Sequence, residues 1–152
     1  MSGIKIDVRD TLFSKLVRER AGWKCERCGQ QFRPPEKDGD NSHLSGLHCA
    51  HICLGGRRQN STRFWPWGSI SACYGCHSFI DANRMEKEIV ARRIFGAARY
   101  EETCQRHKLI VRFRGDDSKI LRQNLKREYE AMMAKRKAGM RGRIEFESPY
   151  ER

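Results

Sequence analysis

The chain has 152 residues, of which 38% are hydrophobic and 33% are charged, so it can form one domain with a thin core but not two sizeable domains. No stretch approaches the roughly 20 consecutive apolar residues of a membrane-spanning helix, and the N-terminus lacks the apolar core of a signal peptide. These features exclude a membrane protein and lead us to expect a cytoplasmic one.

Positive charge is concentrated in the second half of the chain. The net charge is +12, and residues 84–143 contain 18 Lys or Arg against 8 Asp or Glu, which gives that segment a net charge of +10. A field of this sign favours a polyanion, and the usual cytosolic polyanion is nucleic acid. A solvated helix face rich in Lys and Arg explains the charge equally well, so both interpretations stay open.

The chain opens with a pattern typical of a helix. Apolar residues at helical spacing follow Asp7 and Asp10, either of which can cap the start, and precede Gly22, which can end the helix. These apolar residues are Leu12, Phe13, Leu16 and Val17. The pattern predicts a helix over residues 7–22, and the polar segment 33–46 predicts an exposed loop.

The middle of the chain predicts a strand, a loop, a second strand and a helix, in that order. Residues 47–53 (LHCAHIC) and 69–72 are short and apolar enough to be strands, and residues 59–68 connect them. The pattern becomes helical from His77. Two further helices are predicted over residues 97–108 and 118–138.

Two Cys-x-x-Cys pairs, Cys25–Cys28 and Cys73–Cys76, are separated by 44 residues. Zinc prefers four soft ligands in a tetrahedron, and a two-residue spacer lets one turn supply two sulfurs to one ion. The pattern therefore predicts a structural Zn²⁺ that joins the end of the first helix to the end of the second strand. A redox pair is the rival interpretation, which two such pairs in a cytosolic chain disfavour.

Other residues are alternative zinc ligands. Cys49, Cys53, His48 or His51 could replace one of the four cysteines, although we interpret Cys49, Cys53 and Cys104 as small buried residues. Four thiolates leave no open coordination position, so this site by itself indicates a structural role and not catalysis.

The segment HCAHICLGGRRQNSTRFWPWGSISACYGCHSFID resembles the HNH (ββα-metal, His-Me finger) endonucleases, especially small phage members with a four-cysteine zinc. The resemblance begins at DTLFSKLVRERAGWKCERCG and continues weakly through RIFGAARYEETCQ, so it covers about residues 7–104. It implies an α+β fold in which a small ββα-metal core, stabilised by the zinc, is flanked by an N-terminal helix and C-terminal helices.

We accordingly expect four parts: an N-terminal helix packed on the core, a zinc-stabilised HNH domain, a basic helical extension and a flexible tail. Their bounds are 1–24, 25–96, 97–140 and 141–152.

The resemblance also implies roles for single residues. His51 matches the general base, which would take a proton from the water that attacks a phosphodiester. His77 matches a ligand of a catalytic divalent ion, Mg²⁺ or Mn²⁺, and Asp81, four residues later on the same helical face, is a second candidate ligand. Arg57 and Arg58 could hold the phosphate beside the cut.

Two positions depart from the family's usual pattern. Ala50 stands where an Asp or His ligand often precedes the base, and Gly68 stands where the middle Asn usually lies, although Asn60 in the same loop could replace it. The alternative function is therefore a zinc-stabilised nucleic-acid-binding protein whose HNH site has decayed. His48, three residues before His51, is expected to face the other side of the strand.

The function that the resemblance implies is cleavage of one or both strands of double-stranded or branched DNA, leaving 5′-phosphate and 3′-hydroxyl ends. The location would be the cytoplasm of a bacterial host if the chain is phage-encoded. RNA is a less favoured partner, which the charge does not exclude, and no pattern fixes the oligomeric state. Basic residues of the last predicted helix could extend the contact along the phosphates: Lys119, Arg122 and Lys126.

Overall fold

The computed structural model describes residues 7–34, 46–53 and 56–150. Within those ranges the fold is α+β, with six α-helices and one antiparallel two-stranded sheet. The elements are α1 Val8–Arg20, β1 Leu47–His51, α2 Asn60–Arg63, β2 Ser69–Cys73, α3 Tyr74–Ala82, α4 Arg84–Phe95, α5 Ala97–His107 and α6 Asp117–Lys137. Most of the polar loop expected over residues 33–46 lies outside the described residues. None of the helices that the structure describes is both long and apolar enough to cross a bilayer.

The first helix forms where the sequence predicts it. Asp7 caps its N-terminus by accepting a hydrogen bond from the backbone N–H of Arg9 at 2.9 Å. The apolar stripe faces inward, and Phe13, Leu16 and Val17 are buried. The helix ends before Gly22, whose positive φ of 63° favours glycine.

The two strands form an antiparallel pair with a defined register. Leu47 lies opposite Cys73, and His51 lies opposite Ser69. Because successive side chains of a strand point to opposite faces, His48 and His51 belong to different faces of the sheet. This register determines which helix each histidine can contact.

The core has two parts, one on each side of the sheet. The first lies around the cysteine pairs and under α3 and α4, and the second lies between α1 and α6. Buried members of the first part include Trp23, Leu47, Ile70, Ile80 and Val90. Buried members of the second part include Phe13, Leu16, Phe64, Leu125 and Phe146.

The connection between the strands is more ordered than the plain loop that the sequence predicts over residues 59–68. It contains the single helical turn α2 and a 3₁₀ turn at Pro66–Gly68. The backbone N–H of Ile52 donates to the carbonyl of Gly68 at 2.9 Å, which continues the strand pairing by one further bond. The connection is therefore held against the end of β1.

The C-terminal segment differs from the flexible tail that the sequence predicts. Residues 141–150 have no regular secondary structure, but Ile144 and Phe146 are each only 4% exposed. The side-chain amide of Asn124 on α6 donates to the carbonyl of Pro149 at 2.8 Å. The Tyr150 hydroxyl accepts a hydrogen bond from the backbone N–H of Phe64 at 2.9 Å. Apolar side chains at alternate positions gave too short a pattern to reveal this packing from the sequence.

We predict that Phe146→Ala lowers the free energy of unfolding by about 3 kcal/mol, because it opens a cavity in the part of the core between α1 and α6. Chemical denaturation followed by circular dichroism measures this change. Ile110→Ala is the matched control, since Ile110 is 85% exposed, and it should stay within about 0.5 kcal/mol of the wild type. Equal stability of the two variants would show that the C-terminal segment does not belong to the fold.

Candidate functional site

The four cysteines of the two Cys-x-x-Cys pairs lie together. Their sulfur atoms are all within 4.8 Å of one another, and the Sγ atoms of Cys28 and Cys73 are 3.9 Å apart. A tetrahedral zinc with Zn–S bonds of ~2.3 Å separates its sulfurs by about 3.8 Å. The cluster is therefore positioned to hold a metal and is consistent with structural zinc.

Burial and nearby amides act on the thiols in opposite directions. Burial acts to raise the pKa of Cys25, but hydrogen bonds from neighbouring backbone amides outweigh it and lower the pKa to about 7. Burial raises the pKa of Cys76 to about 12, although the Arg27 guanidinium lies 3.4 Å from its sulfur. At neutral pH, such a sulfur becomes a thiolate when a metal displaces its proton. Deprotonation of the four cysteines and metal binding therefore occur together.

The first cysteine turn is joined to the sheet by hydrogen bonds. The backbone N–H of Glu26 donates to the carbonyl of Ser71 at 2.8 Å, and the Glu26 carboxylate accepts the Ser71 N–H at 2.8 Å. Arg143 forms an ion pair with the same carboxylate, and Arg93 on α4 donates to the Glu26 carbonyl at 2.8 Å. The cysteine cluster thus connects α1, β2, α4 and the C-terminal segment.

The remaining cysteines are outside this cluster. Burial raises the pKa of Cys49 and of Cys53 to about 11, so both are neutral thiols at physiological pH. Cys104 is half-buried on α5. Among the described residues, the group whose ligand atoms are close enough to share one metal ion consists of the four cysteines. It includes none of the alternative zinc ligands, Cys49, Cys53, His48 and His51.

His77 occupies the first turn of α3 directly after Cys76 and contacts two other polar side chains. Its Nδ1 lies 3.1 Å from Nδ1 of His48, and its Nε2 lies 3.2 Å from a carboxylate oxygen of Asp81. The other carboxylate oxygen of Asp81 accepts a hydrogen bond from Lys87 at 2.8 Å. The structure therefore brings His77 and Asp81 together, as the sequence predicts, and adds His48, which the sequence indicated only as an alternative zinc ligand.

His51 lies at the end of β1, on the face opposite His48, and is half-buried. Its Nε2 is 3.2 Å from the carbonyl oxygen of Arg63, and its ring centre is 6.3 Å from that of Phe13. A carbonyl oxygen can only accept, so Nε2 carries the proton in this contact. In the neutral ring, a proton on Nε2 places the lone pair on Nδ1.

Arg63 is itself fixed by the first helix. Its guanidinium donates to the carboxylate of Asp10 at 3.0 and 2.6 Å and to that of Asp7 at 3.2 Å. Hydrogen bonding to Asp10 raises the pKa of Arg63, and hydrogen bonding to Arg9 lowers the pKa of Asp7 to about 2. These paired charges hold the backbone segment that contacts His51. No sequence pattern predicted this role of Arg63.

The connection between the strands leaves little space for a side chain at position 68. A Cβ atom on Gly68 would lie 3.1 Å from the carbonyl oxygen of Thr62, so that oxygen would have to shift by a few tenths of an ångström. The side-chain amide of Asn60, the residue considered as a replacement, donates to the carbonyl of Val111 at 3.2 Å.

Arg20 of α1 holds this connection instead. Its guanidinium is fully buried and donates to the carbonyls of Pro66 at 2.5 Å and Ser69 at 2.7 Å. Burial lowers its pKa to about 10, so it stays charged at neutral pH. A charged group buried without these acceptors is strongly unfavourable, so the two bonds hold Arg20 and the connection together. The only signal in the sequence was an Arg at the end of a helix whose apolar stripe faces inward.

The expected phosphate-binding residues are at the surface where the structure describes them. Arg58 is exposed, and so are Lys119, Arg122 and Lys126 along α6. The side chain of Arg57 lies outside what the structure describes. The exposed side chains can meet a polyanion, but they do not by themselves indicate which one.

Comparisons with family models, with curated proteins and with solved structures found no match to this chain. The resemblance to the HNH endonucleases therefore comes from the sequence motifs alone.

We predict that the purified wild-type protein holds one zinc per chain and that Cys28→Ser weakens zinc binding at least tenfold, because a hydroxyl is a poor ligand for this ion. Cys28 is exposed, so the substitution leaves no buried polar group in an apolar core. Competition with a chromophoric chelator measures the affinity. Zinc release should increase as the pH falls, because protons compete for the thiolates.

Cys104→Ser is the matched control and should keep the wild-type affinity, since Cys104 is also a free thiol but lies outside the cluster. Equal zinc affinity in Cys28→Ser and the wild type would rule out the four-cysteine site.

Proposed function

We propose that this protein is a metal-dependent DNA endonuclease or nickase of the HNH type, with His51 as its general base and a divalent ion at His77. One observation carries the proposal: a strand, a connection, a strand and a helix place His51 at the end of β1 and His77 in the first turn of α3, directly after a cysteine cluster of zinc dimensions. The chain's sequence resemblance to that family agrees with this order of elements.

The contacts of His51 suit it to accept a proton. With Nε2 donating to the Arg63 carbonyl, Nδ1 carries the lone pair that takes a proton from water. The water oxygen then bonds to phosphorus, the bond between phosphorus and the 3′ oxygen breaks, and that oxygen leaves to be protonated as a 3′-hydroxyl opposite a 5′-phosphate. The resulting imidazolium still donates to the carbonyl, and this hydrogen bond is stronger because the donor is charged.

The residues around His77 fit a divalent ion. Imidazole nitrogen and carboxylate oxygen are both ligands that such ions accept, and the His77 and Asp81 side chains are 27% and 53% exposed, which leaves access for a substrate. When bound, the ion would polarise the phosphate and stabilise the charge on the departing oxygen.

The charge of the chain favours a nucleic acid as substrate. The net charge is +12, and exposed Arg58 and the basic residues of α6 are available to phosphates. Phosphate contacts position a duplex without reading its sequence, so we propose double-stranded or branched DNA without assigning a preferred site. A reducing cytoplasm, where thiols stay free to bind zinc, completes the proposal.

A second candidate function is a zinc-stabilised nucleic-acid-binding protein without nuclease activity. The observation that favours it is that both ring nitrogens of His77 already have protein partners, His48 and Asp81, and that Asp81 also pairs with Lys87. A polar network satisfied in this way does not require a catalytic ion.

Cleavage of supercoiled plasmid in Mg²⁺, Mn²⁺ or Co²⁺ distinguishes the two functions. We predict cleavage by the wild type and a loss of at least about 100-fold in rate for His51→Ala, the usual contribution of a general base. Ile110→Ala, which removes an 85% exposed side chain between α5 and α6, should cleave at the wild-type rate once its melting temperature is shown to be unchanged. Retardation of the plasmid in a gel without any cleavage by the wild type would favour the binding protein instead.

We predict that Asp10→Ala lowers kcat about tenfold and leaves KM unchanged, because it releases the Arg63 segment whose carbonyl orients His51. Exposed Asp116, at the start of α6, provides the matched control Asp116→Ala, which should change neither constant. A loss of stability without a fall in kcat, measured at a temperature where both variants are folded, would restrict Asp10 to a structural role.

A further inference from the structure

We infer that His48 and His77 together bind a first-row transition-metal ion through their Nδ1 atoms, and that Asp81 orients His77 rather than binding the ion. The inference rests on the ion site of the proposed function and changes its composition. It adds a ligand from β1, moves Asp81 out of the ligand set and specifies the class of ion.

His48 lies on the face of β1 that carries Ala50, and this face packs against α3. His77 extends from the first turn of α3 towards the same place, and the two ring centres are 5.3 Å apart with their planes at 78°. Two imidazoles from different elements therefore converge beside the zinc cluster.

The distance between the two rings fits a shared ion. Nδ1 of His48 and Nδ1 of His77 are 3.1 Å apart. An ion with metal–nitrogen bonds of about 2.0–2.1 Å holds adjacent nitrogen ligands roughly 3.0–3.4 Å apart, in octahedral or tetrahedral geometry. The pair is thus spaced for one shared ion without movement of the backbone. A single hydrogen bond between two neutral rings has the same length and is the outcome that the experiment must exclude.

Asp81 contacts the nitrogen of His77 that does not face His48. An imidazole ring presents its two nitrogens in different directions. Nε2 of His77 faces Asp81, and Nδ1 faces His48. An ion on Nδ1 leaves the Nε2 proton to be donated to the Asp81 carboxylate. A carboxylate that accepts this proton fixes the ring orientation and makes the ligand nitrogen more basic. Lys87 holds Asp81 in place through its other oxygen at 2.8 Å.

The two imidazole ligands also indicate which class of ion the site takes. Mg²⁺ prefers a shell of oxygen atoms and loses its water reluctantly, whereas imidazole pairs suit Co²⁺, Ni²⁺ and Zn²⁺, with a higher affinity for Ni²⁺ than for Co²⁺. Two protein ligands leave several positions for water or a phosphate oxygen. The site differs in this respect from the four-cysteine cluster, where the protein fills the whole shell.

Co²⁺ is the probe for this site because its visible spectrum separates the two classes of ligand. Co²⁺ is added to the protein after its zinc content has been measured. Calorimetry and absorption spectroscopy then measure Co²⁺ binding. The expected result is one Co²⁺ per chain in addition to zinc, with weak ligand-field bands and no sulfur-to-cobalt charge-transfer band. Excess Mg²⁺ should not displace it.

Variants assign the ligands. His48→Ala and His77→Ala should each weaken Co²⁺ binding at least tenfold, and Asp81→Asn should weaken it less than either. His51→Ala is the matched control, since it removes a histidine from the opposite face of the same strand and should leave Co²⁺ binding unchanged. Zinc content and melting temperature, measured on every variant, verify that the fold is intact.

Absence of Co²⁺ binding beyond the zinc site, or binding that His48→Ala leaves unchanged, would overturn the inference and make the His48–His77 contact a hydrogen bond. The proposed nuclease fails separately. Cobalt binding that needs His48, in a protein that cuts no DNA with any ion, supports the ion site and rejects the enzyme. Cleavage in Mg²⁺ that survives His48→Ala supports the enzyme and rejects this ion site.

Discussion

The cluster of four cysteines is the constraint on which the rest of this molecule depends. It joins the turn after α1, the end of β2 and the start of α3, three points that the thin apolar core alone would hold weakly. Structural zinc contributes about 10–16 kcal/mol of apparent binding energy to comparable small sites, which is as large as the net stability of most domains. Because His77 directly follows Cys76, the same cluster also sets where α3 presents its first polar side chain.

Two arginines perform the equivalent task on the other face of the sheet. Arg20 binds two carbonyls of the connection between the strands, and Arg63 binds the carboxylates of α1 while its own carbonyl contacts His51. Each guanidinium supplies several donors in a fixed plane, so one side chain can hold backbone segments that are distant in sequence. This explains how a glycine at position 68, where a Cβ atom would be crowded, is compatible with an ordered connection.

The sequence predicted what depends on local spacing and missed what depends on packing between distant segments. The cysteine spacing predicted the cluster, helical periodicity predicted α1, and strand alternation predicted that His48 and His51 face opposite sides. Which helix each face meets depends on how α3 returns against the sheet, so the contact between His48 and His77 could not be read from spacing. The burial of Ile144 and Phe146 was missed for the same reason, because their partners on α1 lie more than a hundred residues earlier in the chain.

The two faces of β1 give its histidines different chemistry although they are three residues apart. His51 contacts a carbonyl oxygen through Nε2, and in the neutral ring this places the lone pair on Nδ1. His48 contacts another imidazole nitrogen, and a pair of nitrogen lone pairs at 3.1 Å either shares a proton or shares a cation. In the proposed site, the alternation of β1 separates the base from the ion, so the ion's charge would not directly oppose protonation of the base. This separation would suit a reaction in which His51 gains a positive charge while His48 and His77 hold an ion.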